Sequence, residues 1–299
     1  MVTGATGFLG HHLVEYLRKR HEIWALARKI PSKSLSDVSW VQHDLTLTNF
    51  PDSLPDSIDA VIHLAQSDKF RCFPVEAGDV FDVNVNGTFR SLEYARQAGA
   101  HTVIYTSTGG LYGSGSRPFR EDDPLQGEGG LGFYFATKRA GECLVESYSS
   151  CFSTVVLRPF FIYGRGQHES MLMPRLANLI RREEPVMIQG QGGGLRLNPV
   201  HVSDVVRTIE TALNSIGHHV VNVAGAETTD IRSIADSLSL LLNRSPRFEA
   251  TDTPPEGHMM GDITRMQELF GGPTVRLEDG LPDLCTDSGR GIASTGEEQ

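Results

Sequence analysis

The chain has 299 residues, with 27 Lys plus Arg against 37 Asp plus Glu, a formal charge of −10. That acidic balance disfavours nucleic acid as a partner, because phosphate backbones are bound by basic surfaces. At 39% hydrophobic and 21% charged residues, the composition is that of a soluble globular protein. Its apolar runs break well short of the roughly 18 residues of a membrane span.

Residues 3–10 read TGATGFLG. The glycines suit a strand-to-helix turn: Gly4 permits the tight bend, Gly7 lets backbone amides approach a pyrophosphate, and Gly10 lets the helix pack closely on the sheet. A helix over Phe8–Lys19 follows, with Phe8, Leu9, Leu13, Val14, Tyr16 and Leu17 at helical spacing. Only Met1 and Val2 precede the glycine turn, where four or five apolar residues are expected, so the first strand reads as truncated. No basic region or cleavage site opens the chain, which predicts a cytoplasmic protein without a secretory signal.

Strand-length apolar runs occur at 22–28, 59–64, 101–106 and 153–158, with helical stripes at 86–98 and 134–150. Such alternation predicts an α/β fold, a doubly wound parallel sheet of the Rossmann type. Beyond Pro159 the rhythm changes. Helices are expected at 170–182, 203–214 and 230–242, strands near 186–188 and 219–223, and a flexible turn at GQGGG, 190–194. We read residues 1–160 as a dinucleotide-binding domain and 161–285 as a smaller substrate-binding subdomain partly continuous with the main sheet. Residues 286–299 read as a disordered tail.

Arg28, followed by Lys29, stands where a dinucleotide site preferring NAD tends to hold an acidic residue. A guanidinium there can clamp a 2′-phosphate, so NADP(H) is expected over NAD(H). Asp44, in the HDL that follows the third strand, is placed to reach the adenine, and the HLA at 63–65 to line the phosphates. Tyr134 and Lys138 form a YxxxK pair on one helix face. A lysine cation favours the phenolate and lowers the tyrosine pKa, so the pair suits proton transfer to or from an alcohol. Cys72, Cys143, Cys151 and Cys285 are too scattered for a metal ribbon or disulfide framework, and the 11 histidines show no metal-binding spacing.

With these motifs in their order, the sequence resembles the extended short-chain dehydrogenase/reductase family, the NAD-dependent epimerase/dehydratase group. The likeness runs through TGATGFLG, HLAQ at 63–66, NVNGT at 84–88 and YTSTGGLYG at 105–113. It continues in YFATK at 134–138, RPFFIYG at 158–164, HVSDV at 201–205 and VNVAG at 221–225. It implies a catalytic triad: Thr108 bonding the substrate oxygen, Tyr134 moving the proton, and Lys138 holding the nicotinamide ribose and tuning Tyr134. The implied cofactor set is Gly4, Thr6, Gly7, Phe8, Leu9, Gly10, Arg28, Asp44, Leu45, Leu64, Ala65 and Asn84, with Tyr134 and Lys138. A small-molecule substrate and a homodimer through helices 86–98 and 134–150 are also implied.

The departures bear on the substrate. Gly109 and Gly110 stand where family dehydratases carry an acidic pair, so dehydration is not expected. Phe161 replaces an Asn common in nucleotide-sugar enzymes, and Leu197 stands at the expected Arg, with Arg196 one residue earlier. Either Arg196 reaches the diphosphate through a shifted strand, or diphosphate binding is lost. Arg158 reads as structural, and His201 and Asp204 as capping and bracing helix 203–214, with Ser203 or Asp204 suited to its N-terminus. The leading expectation is an NAD(P)-dependent epimerase or oxidoreductase that transfers hydride at a carbinol carbon of a nucleotide sugar. Behind it stand an NADPH-dependent carbonyl or hydroxysteroid-type reductase and a non-catalytic NADP(H)-binding protein.

Overall fold

The computed structural model describes residues 1–127, 129–253 and 257–286. Its strands are β1 (Val2–Thr3), β2 (Trp24–Ala27), β3 (Ser39–Gln42), β4 (Ala60–His63), β5 (Thr102–Thr106), β6 (Ser153–Pro159), β7 (Ile162–Tyr163), β8 (Pro185–Gln189), β9 (Arg196–Leu197), β10 (Val200–His201), β11 (His218–Val223), β12 (Thr229–Asp230) and β13 (Arg247–Thr251). Seven of them form one parallel sheet in the order β11-β6-β5-β4-β1-β2-β3. Parallel strands joined by helical crossovers bury both faces, and the sequence obeys: Ile104, Val155 and Leu157 enter one core, while Val103, Tyr105 and Val156 enter the other.

The helices are α1 (Phe8–Leu17), α2 (Ala77–Phe81), α3 (Gly87–Gln97), α4 (Gly132–Ser147), α5 (Leu172–Arg181), α6 (Val202–Ala212), α7 (Ile231–Leu242), α8 (Thr264–Phe270) and α9 (Leu277–Gly280). Between α2 and α3, Asp82–Asn86 form a wide π-helical turn. None of these helices is long and apolar enough to cross a membrane. The first core gathers Leu13, Val14 and Leu17 of α1 with Val205, Val206 and Ile209 of α6 and Met266 of α8. The second holds Leu92 and Ala95 of α3 and Val145 of α4.

Residues beyond 160 return to the main sheet. β11 lies parallel to β6 over six residues, from His218 beside Thr154 to Val223 beside Pro159. Glu210 of α6 accepts from Tyr16 at 2.8 Å and Arg20 at 2.6 Å, tying α6 to α1. A separate apolar core joins α5, α7, β8 and the turn Leu281–Leu284, with Leu176, Ile188, Ile234 and Leu281 buried in it. β8 pairs there with β13 in parallel. Of the tail expected at 286–299, residues 287–299 lie outside the described residues.

β1, only two residues long, is flanked by β2 and β4. The order of the sheet reverses between β1 and β4, and a doubly wound sheet opens its ligand crevice at the carboxyl ends of such a pair. The glycine turn follows β1 at that place.

Candidate active site

Gly4 takes φ +67°, and a Cβ on it would stand 2.8 Å from the Ala65 amide nitrogen, so the turns after β1 and β4 touch backbone to backbone. Gly7 donates its amide to the Gly4 carbonyl at 3.0 Å. A Cβ on Gly10 would strike that same carbonyl oxygen and stand 2.8 Å from Ala5 Cα. Gly10 is therefore required by the turn itself, not by the sheet beneath. No side chain caps α1 at Gly7, which leaves its first amides and the positive end of its dipole for an anion. This cradle fits the pyrophosphate of a dinucleotide, with Thr6, Phe8 and Leu9 along it.

The turn after β4 is fixed by His63. Thr88 Oγ1 gives its proton to the Asn84 carbonyl at 2.6 Å, so His63 Nε2 is the donor in its 3.0 Å bond to Thr88. Nδ1 then accepts from Thr3 Oγ1 at 2.7 Å, and Thr3 Oγ1 accepts the Ala65 amide at 3.3 Å. Burial, and then the Lys138 charge, push the imidazole down to about 3. His63 is a neutral brace holding Leu64 and Ala65 against the glycine turn.

Asn84 is buried, and its carboxamide is already engaged. Oδ1 accepts the Ser67 amide at 2.9 Å, and Nδ2 donates to Thr137 Oγ1 at 2.9 Å. It links the β4 turn to α4, through the π-helical turn that carries it inward. Asp44 Oδ1 accepts the amide and hydroxyl of Thr46, each at 2.9 Å, while the Leu45 carbonyl accepts from Arg90 at 2.6 Å.

Lys138 is 2% exposed, and its ammonium donates to the Thr106 carbonyl at 2.8 Å, 5.1 Å from the centre of the Tyr105 ring. Burial lowers it to about 7, against the pull of Glu142. Tyr134, one turn earlier on α4, is buried, and its hydroxyl donates to Gln66 Oε1 at 3.0 Å. Burial pushes this phenol upward, opposite to the lowering expected from the lysine alone. Desolvation of the phenol sets that direction. Thr108 caps the short turn Gly109–Tyr112, its Oγ1 accepting the Gly110 amide at 3.1 Å. β5 thus carries the Lys138 acceptor and leads within two residues to Thr108.

The two glycines after Thr108 are packed against aromatic rings. A Cβ on Gly109 would stand 2.5 Å from the Phe160 ring, and one on Gly110 2.6 Å from Phe135. The space where dehydratases hold acidic side chains is filled. Phe161 takes a left-handed backbone, φ 46°, a conformation that asparagine adopts more readily than phenylalanine. Arg196 lies exposed on β9, paired with Asp230 across the β9–β12 ladder, and Leu197 turns into the smaller core. Arg196 makes no ion pair among the described residues.

Arg158 spans the sheet end: it grips Glu142 with two bonds of 2.9 and 2.7 Å and donates to Tyr112 at 2.6 Å and the Glu121 carbonyl at 3.1 Å. The cap of α6 is His201, which accepts the Ser203 amide, rather than Ser203 or Asp204. Asp204 is buried and accepts the amides of Thr274 and Val275, each at 3.1 Å. In the GQGGG run, a Cβ on Gly193 would strike the Asp230 carboxylate. Among the described residues no cluster of His, Cys, Asp and Glu suits a metal. Gln66 and Phe70, whose ring lies 5.0 Å from that of Tyr134, are the neighbours that sequence reasoning missed.

A doubly wound sheet with this glycine cradle and an internal Thr, Tyr and Lys set defines an NAD-dependent short-chain dehydrogenase/reductase of the extended type. The pattern of the NAD dependent epimerase/dehydratase family matches residues 1–224, and the chain belongs to that family. It is 26% identical to a UDP-glucuronate 4-epimerase of Thermodesulfobacterium geofontis, over 94% of this chain and 93% of that one. It is 28% identical to a dTDP-4-dehydro-6-deoxy-D-allose reductase of a Streptomyces species, over 95% and 94%. Among solved structures, MoeE5 in complex with UDP-glucuronic acid and NAD superposes with a TM-score of 0.80 at 28% identity, covering 94% of this chain and 96% of that one. The UDP-glucuronic acid 4-epimerase of Bacillus cereus, in complex with UDP-glucuronic acid and NAD, gives 0.80 at 25% identity with the same coverage.

The expectation of NADP(H) is corrected by these neighbours, which hold NAD. The physical reason lies beside Arg28: its guanidinium is taken by Asp68 at 2.7 Å, with Asp44 adding to the negative surroundings. A guanidinium already bonded to one carboxylate, with a second carboxylate near, is a poor clamp for a 2′-phosphate.

Proposed function

We propose that the protein is an NAD-dependent 4-epimerase of a UDP-linked sugar. The observation that supports this reading is the bond from Lys138 to the Thr106 carbonyl, two residues before Thr108, with Tyr134 one turn away on α4, in a chain whose relatives of nearly full length include UDP-glucuronate 4-epimerases. When bound, NAD would supply a reversible acceptor for the hydride of the carbinol carbon. Tyr134, ionised, accepts the proton of the sugar hydroxyl as the C–O bond becomes a carbonyl, and returns it when the other face of the sugar is presented. Thr108 donates to the same oxygen through its hydroxyl, which is free to give its proton because Oγ1 acts as the acceptor toward Gly110. Lys138 binds the ribose and stabilises the phenolate when charged. Filled space at Gly109 and Gly110 speaks against elimination of water.

The smaller core around α5 and α7 is the sugar-nucleotide half in this reading. Exposed Phe81 and Phe89, beside and on α3, support a homodimer through α3 and α4. Four free thiols, three of them exposed, suit a reducing compartment such as the cytoplasm. The 28% identical reductase of a dTDP-linked keto sugar supports a second reading, in which the same residues deliver a proton to a carbonyl. Thermal melting with NAD present, scanned against UDP, dTDP, GDP, CDP and ADP, separates the two. A ligand at a hundredfold excess over its Kd adds about 2.7 kcal/mol of stability. Selective stabilisation by UDP is expected; selective stabilisation by dTDP favours the reductase, and a flat response counts against both.

A further inference from the structure

The Tyr134 hydroxyl has one hydrogen-bond partner among the described residues, and it is exposed. Tyr134 itself is 8% exposed, yet the Gln66 side chain that accepts its proton at 3.0 Å stands open to solvent. The backbone around Gln66 is pinned. Ser67 donates its amide to Asn84 at 2.9 Å and its hydroxyl to Asp79 at 2.5 Å, and Asp68 holds Arg28 at 2.7 Å. Phe70 closes on the Tyr134 ring from the same segment. A fixed main chain thus presents one exposed carboxamide to the phenol.

We propose that Gln66 is a positioning residue for proton transfer: its carboxamide oxygen accepts from Tyr134 while the phenol carries the proton taken from the sugar hydroxyl, and yields when the carbonyl oxygen comes back for it. A carbonyl acceptor bonds the neutral phenol and not the phenolate, so Gln66 favours the proton-carrying form of the tyrosine. It is cheap to displace, because its side chain makes no other hydrogen bond among the described residues and lies in solvent. The titratable group coupled to Tyr134 is Tyr105 on β5; Lys138 lies one turn further along the same helix, Glu142 acts on Tyr105 and Lys138, and the Lys138 charge acts on His63.

This inference rests on Tyr134 as the proton carrier, and its test separates the two. Gln66→Leu removes the acceptor at similar size, and Gln66→Glu replaces it with a stronger acceptor that adds a like charge. The readout is the ionisation midpoint of Tyr134 in the NAD-loaded enzyme, followed by the carbon-13 resonance of its Cζ and identified by its loss in Tyr134→Phe. The acid limb of kcat/KM is followed in parallel. The expected order is Gln66→Leu below wild type and wild type below Gln66→Glu, each step about one pH unit. A role confined to structure would lower activity without moving the midpoint. Any other order, equal midpoints included, overturns the proposal. The expected order together with an active Tyr134→Phe enzyme would leave the contact standing but overturn Tyr134 as the proton carrier, and the positioning role with it.

Discussion

The ammonium of Lys138 donates to the Thr106 carbonyl at 2.8 Å, at the end of the strand that leads into Thr108. Burying the amine there lowers it from 10.5 to about 7. Between those values the unfolded chain binds more protons at this site than the folded one, so stability rises with pH across the interval. Relative to Lys138→Met, the wild type should gain stability between pH 7 and pH 9, by at most about 1.4 kcal/mol per unit. Urea denaturation of both proteins at the two pH values measures it. A difference between them that is flat with pH contradicts the buried, destabilised ammonium.

Tyr134→Phe removes the hydroxyl and keeps the ring that packs against Phe70 and Phe135. Turnover should fall by about 10²–10⁴-fold, the usual contribution of a positioned acid/base, while NAD affinity stays within a few-fold. Steady-state rates and NAD titration read the two separately.

Gly109→Ala places a methyl group 2.5 Å from the Phe160 ring. Phe160 is buried against Tyr112, so it cannot swing clear cheaply. Overpacking of this kind costs about 1–3 kcal/mol, to be seen as a lower denaturation midpoint. An unchanged midpoint would mean that the turn after Thr108 yields to the methyl group.

Arg158 and Glu142 form a two-bond pair with side chains 6% and 9% exposed. Arg158→Met alone strands a buried carboxylate and should cost about 3–5 kcal/mol, whereas Arg158→Met with Glu142→Leu should recover much of that loss. Denaturant melts of the single and double variants give the comparison. A double variant no better than the single one would place the cost in Tyr112 and Glu121, the other partners of Arg158.

What the sequence revealed of the fold and site was whatever a short stretch enforces by sterics or periodicity. Gly4 and Gly10 are dictated by a turn within eight residues, and Tyr134 with Lys138 by one helical turn. Strand–helix alternation made the parallel sheet legible, including β11 beyond the change of rhythm. What stayed hidden depends on distant partners. Arg28 looked like a phosphate clamp because Asp68, 40 residues away, cannot be placed beside it without the turn after β4. Gln66 reaches Tyr134 across 68 residues, and β8 finds β13 only once α7 has packed between them in sequence. At the start of α6, the cap expected of His201 and Asp204 falls to His201 alone, since the 274–275 amides claim Asp204.

The most direct measurement is turnover of UDP-glucuronic acid and UDP-glucose, each deuterated at carbon 4, by the NAD-loaded enzyme with proton NMR of the products. We expect the 4-epimer of at least one, with deuterium kept at carbon 4 and no net formation of NADH, because the hydride leaves and returns within one closed site. Absence of epimer from both, with steady oxidation of added NADH by a keto sugar, would contradict the epimerase reading and make the protein a reductase.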